Sequence, residues 1–180
     1  MSEIARRRMG HQGLLAPLGG ADAIVDAVRA MCGAHAQVQS AAQHSIARRL
    51  RGVTRADVQE ALWERRELVR TYGPRGTVHL LPSADLHLWA GALSAVDGGI
   101  SRQADGVRLD RGQVEEVIAA VGASLAGIEL TLPELDAAVG ERLGAWAVEE
   151  TMPAFGTVWP RWRQAITPAA HRGMLCFGHP

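Results

Sequence analysis

Residues 68–81 are Leu68-Val69-Arg70-Thr71-Tyr72-Gly73-Pro74-Arg75-Gly76-Thr77-Val78-His79-Leu80-Leu81. The runs at 68–72 and 77–81 are short and rich in β-branched and aliphatic residues, which favour strands. The four residues at 73–76 have the composition of a turn. The segment therefore predicts a β-hairpin.

Three helices are predicted upstream of this hairpin. The first follows Asp22 as its N-cap, carries apolar residues on one face at helical spacing, and ends at Gly33. The second starts at Ser40 with the pattern of a capping box and extends to about residue 50, and the third follows Thr54 and extends to about residue 66. Three helices followed by a two-stranded hairpin is the order of a winged helix.

The pattern downstream of the hairpin predicts a second domain of the same kind. One more helix is expected at about 84–94 in the first domain. In the second, helices are expected at about 113–125, from Thr131 onward and at 159–171, with a short strand at 174–177. A Gly- and Asp-rich segment at 97–112 favours a domain boundary there. A lone terminal strand would leave an unpaired edge, so we expect the second wing to be incomplete. The predicted fold is mainly α with small β-hairpins (α+β), as tandem winged-helix domains over 1–98 and 99–180.

Composition narrows the classes of function. No segment approaches the roughly 20 apolar residues of a membrane span, and two distant cysteines indicate neither a disulfide framework nor a zinc cluster, so a reducing cytoplasm is expected. The net charge is zero, but residues 1–80 hold 12 Arg against 7 acidic residues and residues 81–180 hold 7 Arg against 12. The first half is therefore the part suited to a polyanion, although an Arg-rich solvated surface would look the same.

Residues 34–39, Ala34-His35-Ala36-Gln37-Val38-Gln39, connect the first two predicted helices. We expect this connector to be extended, so that His35, Gln37 and Gln39 project from one side. A helix would instead separate residues two apart by about 200°. Three hydrogen-bonding side chains would then form a polar platform, and a solvated polar loop is the alternative interpretation.

Four segments resemble the AlkZ-like DNA glycosylases, and together they extend over nearly the whole chain. They are Cys32-Gly33-Ala34-His35-Ala36-Gln37-Val38-Gln39-Ser40-Ala41-Ala42, Thr54-Arg55-Ala56-Asp57-Val58 with Ala61-Leu62-Trp63-Glu64, Arg75-Gly76-Thr77-Val78-His79-Leu80-Leu81-Pro82-Ser83-Ala84-Asp85-Leu86, and Pro168-Ala169-Ala170-His171-Arg172-Gly173-Met174-Leu175-Cys176-Phe177-Gly178. Family members are longer and are built from tandem winged helices. The resemblance therefore covers their first part.

The resemblance implies a catalytic pair of polar residues one apart, Gln-x-Gln or a close variant. Alignment through Gly33 and 40–42 places the pair at His35 and Gln37, which departs from Gln-x-Gln at its first position. A shift by two residues would place it at Gln37 and Gln39. Gln37 belongs to both alignments and is the first candidate.

The resemblance also implies the reaction, which is hydrolysis of the N-glycosidic bond of N7-alkylated purines, including bulky adducts and interstrand crosslinks. N7 alkylation makes the base a cationic leaving group, so the enzyme has to hold a water at C1′ and stabilise an oxocarbenium-like state. Gln37 would orient that water, and His35 would accept a proton or share the positioning. All 19 basic residues are Arg, so no lysine can form a Schiff base and a monofunctional enzyme is predicted.

Double-stranded DNA is the expected partner, bound by a monomer without a membrane anchor. Candidate contacts lie in the hairpin, at Arg75, Thr77 and His79, and at the end of the second helix, at Arg48, Arg49 and Arg51. The histidines outside the connector lack the spacing of metal ligands, so no metal or other cofactor is predicted.

Two other functions fit the sequence. A non-catalytic winged-helix regulator would read DNA with the third helix, although acidic residues beside its arginines weaken that role. A remnant lacking the C-terminal half of its family would bind DNA without excising a base.

Overall fold

The computed structural model describes residues 1–96, 103–154 and 156–179. The chain divides into two compact units, Met1–Trp89 with Cys176–Pro180, and Ala90–Leu175. The boundary predicted between residues 98 and 99 lies outside the described residues. Mainly helical units with small antiparallel sheets confirm the predicted α+β class. Of the described helices, none has both the length and the apolar character that crossing a lipid bilayer requires.

The first unit alternates helices and strands in the order of a winged helix. Its elements are α1 (Glu3–His11), α2 (Ile24–Ala30), β1 (Ala34–His35), α3 (Gln39–Ala47), α4 (Arg55–Gln59), a π-helical turn (Glu60–Glu64), β2 (Leu68–Tyr72) and β3 (Val78–Pro82). The next helix, α5 (Leu86–Ala95), begins in this unit and continues past Trp89, the last residue of this stretch of the unit. The sheet is antiparallel in the order β1-β3-β2. Its core joins Val28, Ile46, Val58 and Leu80, all buried from solvent.

The predicted hairpin and third helix are confirmed. Thr54 caps α4 through a capping box, because its Oγ1 accepts from the Asp57 N–H at 3.4 Å while Asp57 Oδ2 accepts from the Thr54 N–H at 2.7 Å. The helix continues past Gln59 as the π-helical turn rather than as regular α-helix, and the Arg65 N–H bonds the Glu60 carbonyl five residues back.

Two predicted helix starts are wrong. Asp22 lies inside a short 3-10 turn (Ala21–Ala23) and provides no side-chain cap to α2. Ser40 is inside α3, whose N-cap is Val38. In both cases the chain begins to turn one or two residues away from the residue with capping chemistry, since burial of the apolar face sets the helix position.

The second unit is helical with a single described hairpin. Its elements are α6 (Arg111–Ser124), α7 (Leu132–Leu143), α8 (Ala145–Val148), β4 (Glu150–Ala154), β5 (Thr157–Pro160), a 3-10 helix (Arg161–Ala165) and α9 (Ile166–His171). Trp162 is fully buried at its centre, and its indole N–H donates to Asp136 Oδ1 at 2.8 Å. Thr131 caps α7 with Glu134 in a capping box, as its sequence indicates.

The end of the chain differs from the prediction. Trp159 and Pro160 belong to β5, so helical structure begins at Arg161, and residues 174–177 are not a strand. The hairpin of this unit lies earlier, at 150–160. Phe177 instead packs against the core of the first unit, where its N–H bonds the Arg70 carbonyl at 2.9 Å.

Candidate active site

The connector between α2 and α3 is extended and joins the winged-helix sheet. Ala34 pairs with Leu80, and the Ala36 N–H donates to the Val78 carbonyl at 2.7 Å. Ala34 and Ala36 are buried, whereas His35 and Gln37 are exposed. The alternation confirms that the two polar side chains project from the same side of this short segment.

The turn that leads into the connector depends on glycine. Gly33 has φ +92°, and a Cβ at this position would lie 2.7 Å from Leu81 Cδ2. Cys32 before it also has a left-handed backbone, with φ +54°. Because Gly33 has no side chain, the chain can turn from α2 into β1 while its backbone packs closely against Leu81 of β3.

Gln39 does not share the extended conformation predicted for it. The connector is extended as far as Val38 (φ −107°, ψ 106°), and Gln39 is the first residue of α3. Gln39 instead lines a recess with Trp63, Glu64 and His179. The polar platform of three residues is therefore a pair, His35 and Gln37, with Gln39 beyond the bend.

The Gln37 amide is held loosely at the edge of the sheet. Its Oε1 accepts from the Val78 N–H at 3.5 Å, the long limit of a hydrogen bond. A bond this weak leaves the carbonyl oxygen available to a stronger donor, such as a water molecule, and the exposed position admits one.

His79 is a buried residue that lies beside the exposed His35. The two residues are direct partners between β1 and β3, and their ring centroids are 5.4 Å apart in an edge-to-face arrangement. Only 5 % of the surface of His79 is exposed, so the prediction that it contacts DNA directly is corrected. Its Nδ1 lies 2.8 Å from the Thr77 carbonyl and must donate, since a carbonyl oxygen only accepts.

Burial lowers the pKa of His79, because the imidazolium loses its hydration. The hydrogen bond to the Thr77 carbonyl opposes this change, and the nearby His35 and Arg75 add to it. His79 is therefore held as the neutral ring with its proton on Nδ1.

This lowered pKa predicts a dependence of stability on pH. The unfolded chain binds a proton on this imidazole near its ordinary pKa of about 6.5, whereas the folded chain binds it only at lower pH. The free energy of unfolding should therefore fall as the pH drops below about 6.5, and the fall should end below the folded pKa. Urea denaturation at a series of pH values measures it. His79→Asn, which keeps an N–H donor near Thr77, should lose this component; an identical pH dependence in the variant would contradict the assignment.

The residues of the hairpin that were predicted to contact DNA differ in how exposed they are. Arg75 is exposed at the tip with φ +62°, and Thr77 is half-buried with its Oγ1 donating to the Pro74 carbonyl at 3.2 Å. Arg75 is therefore the hairpin side chain best placed to meet a ligand.

The three arginines at and after the end of α3 also differ in exposure. Arg48 and Arg51 are exposed, while Arg49 is half-buried and donates from Nη1 to the Ser45 carbonyl at 2.7 Å and to Ser45 Oγ at 3.0 Å. Arg48 and Arg49 line a groove that also includes Arg55. The sequence analysis did not single out Arg55, although no Asp or Glu occurs between Asp26 and Asp57, and that acid-free interval was the signal for it.

No three His, Cys, Asp or Glu side chains converge as a metal site within 1–96, 103–154 and 156–179. His35 and Gln37 present an imidazole and an amide to solvent, two side chains that can hydrogen-bond a small polar molecule.

Comparisons with known proteins agree on one family. The family model described as DNA glycosylase AlkZ-like matches residues 28–180. A curated protein of Streptomyces sahachiroi, an interstrand DNA cross-link repair glycosylase, is 31 % identical over 157 residues, which are 85 % of this chain and 40 % of that protein. The solved structure of the Streptomyces sahachiroi DNA glycosylase AlkZ superposes with a TM-score of 0.75 at 27 % identity, over 96 % of this chain and 44 % of that one. The chain thus spans less than half the length of these relatives.

Proposed function

Because the chain belongs to the AlkZ-like DNA glycosylase family, we propose that it hydrolyses the N-glycosidic bond of N7-alkylated purines in duplex DNA. Bulky adducts and interstrand crosslinks are the substrate class. The observation that carries the proposal is the position of His35 and Gln37, exposed side by side on an extended segment next to the wing, in the part of the chain that the family model covers.

The proposed reaction requires the protein mainly to position a water molecule at C1′. The N7-alkylated base already carries a positive charge, so cleavage of the C1′–N9 bond returns an electron pair to the ring and neutralises it. Gln37 Oε1 orients a water toward C1′, where its oxygen forms the new bond. His35 accepts the proton that this water releases. The products are the free base and an abasic site with a hydroxyl at C1′.

DNA contacts surround this pair in the proposal. Arg75 and Thr77 meet the backbone from the hairpin, and Arg48, Arg49 and Arg51 supply further positive charge. His79 acts behind the surface, where it packs against His35 and fixes the ring in place.

The proposal predicts base release without strand cleavage. Duplex DNA carrying a single N7-methylguanine should lose that base when incubated with the protein, and the strand should break only after a later alkaline step. The physical reason is the absence of lysine, since no side-chain amine is present to form a Schiff base at C1′.

Gel analysis with and without alkali separates the two steps. Nicking at the rate of base release would contradict the water mechanism. Tight DNA binding without release of methylated or bulky bases would contradict the glycosylase and favour a non-catalytic winged-helix protein.

A further inference from the structure

A basic groove of about 610 Å³ opens along α3 in the first unit. Its walls come from α3, the turn after it, and the first residue of α4. We call it the α3–α4 groove, lined by Ser40, His44, Ser45, Arg48, Arg49 and Arg55. Three guanidinium groups face a space whose lining contains no acidic residue.

These arginines differ from others in the described parts of the chain in lacking carboxylate partners. Arg29 pairs with Asp85 at 2.7 Å, Arg65 with Glu60 at 2.6 Å and Arg163 with Asp136 at 2.6 Å. In the groove, Arg55 donates from Nε to Gln43 Oε1 at 3.2 Å and Arg49 donates to Ser45. No ion pair joins Arg48, Arg49 or Arg55 to an acid within the described residues.

One residue of the groove carries a buried donor without a partner among the described residues. The Nε of Arg49 is buried and makes no hydrogen bond. Burial, and then the charge of Arg48, lower the pKa of Arg49. An anion in the groove would offset both costs, because it supplies acceptors and compensates the like charges.

The other side of α4 is unsuited to an anion. A recess of about 360 Å³ there is lined by Gln39, Trp63, Glu60 and Glu64 among others. Its lining has two acidic residues, one of them paired with Arg65, and no arginine, so a phosphate that approaches α4 is better matched by the groove side.

We propose that the α3–α4 groove binds consecutive phosphates of one DNA strand beside the excised nucleotide. The inference rests on the proposed function, since it takes His35 and Gln37 as the position of that nucleotide. Ser40, which lines the groove, follows Gln37 by three residues along the chain, so the groove begins next to the candidate pair. The phosphates that it holds are therefore those that flank the lesion.

Arg48→Gln and Arg55→Gln test the groove in the full 180-residue chain. Each removes an exposed charge, and each should lower the slope of log affinity against log salt by about 1 on undamaged duplex. Thermal unfolding checks that the fold is kept, above all in Arg55→Gln, which changes the bond to the buried Gln43. Arg66→Gln is the matched control, because Arg66 is exposed and does not line the groove. Its slope should equal that of the wild type.

Neutral phosphates locate the contact along the strand. A duplex with methylphosphonates on the nucleotides that flank the N7-methylguanine should bind the wild type more weakly than one with the same number of methylphosphonates at the end of that strand. The same substitution should cost Arg48→Gln and Arg55→Gln less.

The outcomes separate the groove from the catalytic proposal. Base release by the wild type, with unchanged salt slopes in Arg48→Gln and Arg55→Gln, would overturn the groove and leave the glycosylase intact. Groove-dependent binding of undamaged duplex without base release would support the groove and overturn the glycosylase. Equal loss of slope in Arg66→Gln would show a diffuse charge effect and overturn the groove.

Discussion

Replacing Gln37 with alanine is expected to slow release of N7-methylguanine by about 100-fold or more, while affinity for the damaged duplex stays close to that of the wild type. The side chain is exposed and its contact within the protein is the 3.5 Å bond to Val78, so its loss removes the oriented water and little else. Single-turnover base release measures the rate, and direct binding measures the affinity. Equal loss of binding and rate would contradict a role confined to the reaction.

Two companion variants decide which residues form the pair. His35→Ala is expected to lose activity with Gln37→Ala, whereas Gln39→Ala should retain most of it, because Gln39 belongs to α3 and lines the recess near Trp63. If Gln39→Ala is inactive and His35→Ala is active, the pair is Gln37 and Gln39. Thermal unfolding of each variant controls for damage to the fold.

Gly33→Ala is expected to reduce the free energy of unfolding by about 2–4 kcal/mol and to abolish base release. Two costs combine: a left-handed backbone for a residue with a side chain, about 1 kcal/mol or more, and the overlap of the new Cβ with Leu81 Cδ2 at 2.7 Å. The connector that carries His35 follows directly, so relief of the overlap displaces it. Urea denaturation measures the stability.

Gly52→Ala is the matched control for this substitution. Gly52 also has a positive φ, +69°, but a Cβ there meets nothing within 4 Å. Its cost should be about 1 kcal/mol, from backbone strain alone. Equal effects at the two glycines would show that contact with Leu81 contributes nothing.

Local sequence rules predicted the hairpin, the capping of α4 and the start of α7, because those features depend on residues three to five positions apart. The same rules did not predict the hairpin at 150–160, since Glu150 and Pro153 are residues that disfavour a strand. Pro153 lacks an N–H, but a sheet of two strands has an open edge beside each strand where no donor is needed. The apolar run at 174–177 was wrongly predicted as a strand. Its Phe177 is half-buried by packing on Tyr72 and not by strand pairing.

The side on which His35 and Gln37 lie was predictable, and the environment of His79 was not. Alternation within the connector placed His35, Gln37 and Gln39 on one side, and the structure keeps the first two there while Gln39 begins α3. The burial of His79 follows from strand order, because pairing with β1 makes β3 the central strand, and all of Val78–Pro82 is buried. A hairpin considered alone leaves the same strand at an edge.

The groove proposed beside α3 has a consequence for where damage can be processed. In that binding mode, a lesion close to a nick or to the end of a duplex offers the catalytic pair its base but offers the groove no continuous backbone on that side. Excision of such a base would lose the charge contacts of Arg48 and Arg55 while the chemistry at C1′ is unchanged. We therefore expect the chain to favour damage inside continuous strands over damage near termini.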